Sequence, residues 1–173
     1  MTPANTTKGE VVSDSEVRLT SEIISVHEYK VKQRLQGETT FDVIDTIPVG
    51  ASFSIYSVTG LDTDNNVYEF ELETFDRCGN TISSNLVSSI PLNLSTTSTS
   101  IDANWESYSG TFNHFELVKN NSPSNVGASE NFSDIDLSCN QEYCYQVIAY
   151  LDPTTPISYS LEKCIASPVD SDP

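Results

Sequence analysis

Positive charge is what this sequence has least of: 8 Lys and Arg stand against 25 Asp and Glu in 173 residues, a formal charge of −17. A surface of that sign repels phosphate backbones and anionic lipid, so nucleic acid and charged membrane surfaces are excluded as partners. The simplest account of the acidity is a solvated, soluble surface; calcium is the one cofactor it leaves open. Long hydrophobic runs are also missing, so direct membrane insertion by a helix is not expected. The first ten residues hold no apolar segment and no small-residue cleavage site, and no secretory signal is read there. Catalytic signatures are equally scarce. The chain has two histidines, no Gly-x-Ser-x-Gly element and no glycine-rich phosphate cradle. His27 and His114 stand near Glu28 and Glu116 at equivalent places in the two halves, a repetition that points to architecture rather than to a reaction. No catalytic residue is assigned, and the chain is expected not to be an enzyme. Four cysteines occur without any Cys-x-x-Cys spacing, which sets zinc aside.

What is present is period-two alternation almost everywhere, with 37% hydrophobic and 9% aromatic residues to fill one or two modest cores. The fold class is therefore all-β. Strands are expected over Val17–Ser21, His27–Lys32, Thr39–Thr46, Ser52–Ser57, Val67–Phe75 and Leu86–Leu92, then over Ser100–Glu106, Asn113–Lys119, Glu142–Tyr150 and Ser158–Ala166. Polar clusters such as Asp62 to Asn66, Cys78-Gly79-Asn80 and Asp152-Pro153 separate them.

The strongest signal is an internal repeat. Tyr68 to Thr74 aligns with Tyr143 to Ala149 at a spacing of 75 residues, each copy turning alternate residues inward. One module per half follows: residues 1–90, with a flexible N-terminal tail, and residues 91–173. Ile90-Pro91-Leu92 would end one module and begin the next. Proline there makes the junction short and stiff.

The second half resembles a fibronectin type III domain. Trp105 shares a face with Ile101 and Ala103 at the place where that family puts its core tryptophan, and Leu137 to Tyr143 has the family's corner spacing. The resemblance implies that Tyr143, and Tyr68 in the first half, are corner tyrosines whose hydroxyls bond back to nearby backbone. Cys139 replaces the usual loop proline, Ser21 stands where a tryptophan would be expected in the first module, and the Leu61 to Tyr68 corner is one residue longer. More narrowly, the run Tyr68 to Asp76 followed by Cys78-Gly79-Asn80, and Tyr143-Cys144-Tyr145 followed by Cys164, are similar to repeats in surface proteins of gliding Bacteroidetes. That likeness implies large exported adhesins or envelope components, often bearing gliding-motility-associated segments or type IX secretion signals elsewhere. The whole is thus two tandem fibronectin type III-like β-sandwiches, read as a piece of a longer extracellular, cell-surface polypeptide.

A hairpin loop centred between Asp152 and Thr155 sets Cys144 opposite Cys164 on the outer sheet face, where a disulfide would contribute about 3 kcal/mol. Cys139 is the rival partner for Cys164 after a one-residue slip. Cys78 is expected to stay free or to meet a cysteine elsewhere. Asp62-x-Asp64-x-Asn66 has oxygen-ligand spacing, but Val67 occupies the place where a calcium loop needs glycine, so these three residues read first as an Asx-rich turn and only weakly as a metal site. Tyr108, Tyr150 and Tyr159 gather at one end of the second module. They are candidates to grip a surface protein or glycan, unless they pack over the sandwich mouth or against the neighbouring module. Asn5, Asn93, Asn120 and Asn131 open glycosylation sequons. The functional expectation is a non-catalytic spacer whose partners are neighbouring domains of its own polypeptide. An adhesion module and an accessory domain of a secreted hydrolase are the alternatives.

Overall fold

The computed structural model describes residues 7–21, 23, 26–51, 55–106 and 108–168, and all regular elements among them are β-strands. In the first module these are Thr7–Ser13 (β1), Glu16–Ser21 (β2), Tyr29–Leu35 (β3), Asp42–Ile47 (β4), Ile55–Thr59 (β5), Tyr68–Phe75 (β6), Thr81–Ser83 (β7) and Val87–Ser88 (β8). The second module repeats the order with Leu92–Thr96 (β9), Ile101–Trp105 (β10), His114–Lys119 (β11), Ser122–Gly127 (β12), Asn131–Asp134 (β13), Glu142–Asp152 (β14), Thr155–Tyr159 (β15) and Lys163–Ala166 (β16). Asn5 and Ser52 to Ser54 lie outside the described residues.

In each module a three-stranded layer faces a four-stranded one whose last strand is broken in two. The first packs β1-β2-β5 against β4-β3-β6-β7 with β8 on β6; the second packs β9-β10-β13 against β12-β11-β14-β15 with β16 on β14. This is the two-layer, fibronectin type III-like sandwich in both halves. Two separate hydrophobic cores fill them. One gathers Val17, Val31, Phe70, Leu72 and Val87; the other gathers Trp105, Phe115, Leu117, Tyr145, Val147 and Ile157. Ile90 and Leu92 both belong to the second core.

The break in the last strand is made the same way twice. Ser84 donates its N–H to Leu72 O at 2.8 Å and accepts Leu72 N–H on Oγ at 3.0 Å; Ser160 does the same to Val147, at 2.8 Å each. Each hydroxyl then donates to the next carbonyl, Asn85 or Leu161. The serine side chain stands in for a missing backbone acceptor, so the strand can kink without orphaning a buried N–H. Both corner tyrosines are tethered: Asp62 N–H donates to the Tyr68 hydroxyl at 3.1 Å, and Ser138 N–H to that of Tyr143 at 2.8 Å. Ser21 is buried and accepts the Thr7 hydroxyl at 3.2 Å, a small polar pair on β1 and β2 where β9 and β10 set Leu92 opposite Trp105.

The N-terminal segment corrects the expected flexible tail over Thr7–Ser13, which is a paired strand. On one side β1 runs antiparallel to β2; on the other it runs parallel to β15, with Gly9 opposite Ser158 and Glu10 opposite Tyr159. The three-stranded layer of the first module and the four-stranded layer of the second are thereby one continuous sheet, in the order β12-β11-β14-β15-β1-β2-β5. Each of the two strands that meet would otherwise present an open row of hydrogen-bonding groups.

Candidate binding surface at the module seam

The seam between the modules is built from side chains as well as from the shared sheet. Leu161, just after the Ser160 kink, packs against the first module's core. The Asn85 side chain clamps the start of β1, accepting Thr7 N–H at 2.7 Å and donating to Thr7 O at 2.9 Å. A relay crosses the junction: Ser88 N–H donates to Ser158 Oγ at 3.2 Å, that hydroxyl donates to Tyr108 Oη at 3.3 Å, and Tyr108 donates to Leu86 O at 2.7 Å. Lys163 pairs with Asp64 across the same junction at 2.7 Å.

Of the two expectations for Tyr108, a grip on a partner or packing against the neighbouring module, the structure gives the packed one. Tyr108 is only 6% exposed, belongs to the second core and has its hydroxyl committed to the first module. Burial pushes its phenol up to about 12. Gly110 follows from that placement, because a β-carbon there would stand 2.6 Å from the Tyr108 ring and 3.3 Å from Leu86. Gly9 is required for a parallel reason: its β-carbon would sit 2.2 Å from Val87 Cγ1, so β1 can lie against β8 only without a side chain.

Glu69 is the residue that alternation misplaces. It points to the outer face of β6, yet it is 1% exposed, because the loop after β10 covers it. Its carboxylate is held by Arg34 from β3 and by the Ser109 hydroxyl from the second module. Beyond it the outer face is a ladder of opposite charges: Lys32 bonds Glu71 at 3.0 Å and Glu73 at 2.7 Å, and Lys30 lies 3.8 Å from Glu73. The hydrogen bond to Glu73 leads the causes that raise the Lys32 ammonium. Phe41 and Phe75 lie under these cations, with Arg34 4.3 Å from the Phe41 ring.

The other two tyrosine candidates share the outer face of the joined sheet. Tyr150 stacks on His114 at 4.7 Å and donates to Glu116 at 3.3 Å; the His114 ring, itself buried, has Nδ1 3.0 Å from Asn113 Oδ1. Tyr159 borders a shallow depression of about 220 Å³ lined with Lys8, Gly9, Glu10, Arg18 and Thr20. Burial first, then Glu10 and Glu116, raise the Tyr159 phenol. Nothing in the sequence of β1 marked Lys8 and Glu10 as neighbours of Tyr159; the 75-residue repeat locates both modules but does not say which edges meet.

Cys144 and Cys164 are disulfide-bonded directly across β14 and β16. The route differs from simple hairpin counting, since two register shifts between β14 and β15 and the Ser160 break intervene. Cys78 and Cys139 are both free and exposed. In the turn of Asp62 to Asn66, both oxygens of Asp62 accept from Asn65 Nδ2, at 2.9 and 3.0 Å, while Asp64 faces Lys163. The carboxylates of Asp62 and Asp64 thus serve turn and seam contacts.

No family model matches this chain, and no curated protein matches it. Among solved structures it is similar to the central fibronectin-III array of RIM-binding protein (12% identity, TM-score 0.43, covering 99% of this chain and 71% of that one). It is also similar to the FN1–FN3 domains of chicken CNTN1 (14%, TM-score 0.43, 96% of this chain and 66% of that one) and to a two-domain fibronectin type III segment of chicken tenascin (13%, TM-score 0.39, 94% and 98%).

Proposed function

We propose that this chain is a non-catalytic, rigid two-module spacer of a longer extracellular polypeptide, holding the domains on either side of it at a fixed distance and angle. The observation that carries the reading is the pairing of β1 with β15, which makes one sheet of layers from two sandwiches. Domains within one chain move relative to each other unless their interface is large and well bonded. Here backbone pairing, the Tyr108 relay, Leu161 and the Lys163–Asp64 pair all act at one junction. A disulfide on an exposed sheet face is the kind of bond that persists in oxidising compartments, which supports the extracellular setting. An envelope protein of the gliding-bacterium type is the context that the cysteine and tyrosine pattern suggests.

The two free cysteines lie one in each module and supply natural attachment points. With nitroxide labels on Cys78 and Cys139, pulsed electron-electron resonance is expected to give one narrow distance distribution, unchanged by salt. A broad or multi-peaked distribution would show modules that swing, and the spacer reading would be abandoned.

A further inference from the structure

We propose that the outer face of the joined sheet, over the seam, is a binding site for an uncharged oligosaccharide. The inference rests on the joined-module reading above, since the site is assembled from both halves. Register places Glu116, Ile148, Tyr159, Glu10 and Arg18 side by side on β11, β14, β15, β1 and β2. Five strands at the usual spacing give a row about 19 Å long, room for several sugar rings end to end. The neighbouring row brings in His114 and Tyr150 on the same face, the latter ring braced by stacking.

Three features decide what fits there. Tyr150 and Tyr159 belong to neither core and are only partly covered; Tyr150 lends one ring face to His114, and Tyr159 borders the depression. Tyrosine offers a flat apolar face and a hydroxyl together, which suits a ring with C–H groups on one side and hydroxyls at its rim. Around the rings stand donors on Lys8, Arg18 and Thr20 and acceptors on Glu10 and Glu116. Two cations balance two anions, in a chain whose overall charge is −17. A polyanion would be repelled by the rest of the surface, while within the row Arg18 lies 3.7 Å from Glu10, so its charges are matched internally and its remaining hydrogen-bonding capacity suits the hydroxyls of a neutral polyhydroxyl chain.

The probes are cellohexaose, xylohexaose, laminarihexaose, mannohexaose and chitohexaose, each titrated into the isotope-labelled chain. With at least one of them, backbone amide shifts are expected at residues 8–10, 18–20, 148–150 and 159, in fast exchange. Tyr159→Ala is expected to weaken that binding about tenfold or more, and Tyr159→Phe by about twofold or less, a factor of ten being about 1.4 kcal/mol. The amide spectrum of each variant reports its fold directly. No shifts at these residues with any of the five sugars, shifts confined to another surface, or undiminished binding by Tyr159→Ala would overturn the proposal. A narrow Cys78–Cys139 distance with no sugar response removes the site and leaves the spacer; a broad distance removes both.

Discussion

Gly9→Ala is the smallest change that should disturb the seam. A methyl at this position would lie 2.2 Å from Val87 Cγ1, with Val87 Cβ at 3.6 Å and Leu19 Cδ2 at 3.7 Å. Val87 is fully buried, so its methyl cannot swing into solvent. Overpacking a tight core costs about 1–3 kcal/mol, against which a glycine-to-alanine change in an unstrained strand returns about 0.4–1 kcal/mol through the unfolded chain. The net expectation is a loss of about 1–2 kcal/mol. Val87→Ala alone should cost about 2 kcal/mol by removing buried carbon atoms and leaving a gap. In the double variant the new methyl enters the space that Val87 Cγ1 vacates, and the combined cost should fall about 1–2 kcal/mol short of the sum. Guanidinium unfolding of the four proteins measures that coupling. Additivity within about 0.5 kcal/mol, or a Gly9→Ala chain more stable than its parent, would refute the claim that β1 lies against β8 through a bare backbone.

The Tyr108 phenol is raised by burial to about 12, so its folded-state pKa lies above the unfolded one; the stability it contributes is complete below pH of about 10 and is lost as pH rises through about 12. Stability measured across that range should fall less steeply in Tyr108→Phe than in the parent, while at neutral pH the variant loses about 1 kcal/mol with the bond to Leu86 O. Replacing Cys144 and Cys164 together by serine, which opens a loop of sequence separation 20, should cost about 3 kcal/mol in denaturant titrations and leave the Cys78–Cys139 distance unchanged. Asp134 accepts both the Tyr145 hydroxyl and the Lys119 ammonium at 2.6 Å, and Asp134→Asn should cost about 2 kcal/mol by leaving a partly buried cation without its counter-charge; double-variant unfolding with Lys119→Met should recover most of that loss.

The elements that the sequence announced are those whose inner faces are apolar and whose neighbours lie in the same module. Tyr68, Phe70, Leu72 and Thr74 turn inward on β6, and Tyr145, Val147 and Ala149 on β14, as alternation requires. β1 was invisible for a physical reason: its inward residues are Thr7, Gly9 and Val11, small because β8 comes so close, so no hydrophobic period develops. β12 escaped because it is an edge strand with four exposed residues and Pro123, which only an edge tolerates. Glu69 and Tyr108 show a different limit. Alternation assigns a residue to a face, and loop position assigns it to an end, but neither says what another module will lay on top. The clues were local and indirect: a glycine at position 9 within a strand, and Gly110 beside the Tyr108 ring.

In the rigid reading proposed above, the contacts that would hold the junction are not those the sequence suggested. Only Ser89, Ile90 and Pro91 separate β8 from β9, and a proline fixes one dihedral among the several that such a connection contains. A short linker limits how far two modules can separate without fixing how they are turned. Orientation needs contacts away from the linker, and the residues that supply them are far from it in sequence: Thr7 to Glu10 at one end of the chain, Ser158 to Lys163 near the other. In that reading, twisting or opening the junction must break the β1–β15 pairing as well as bend the connection between modules.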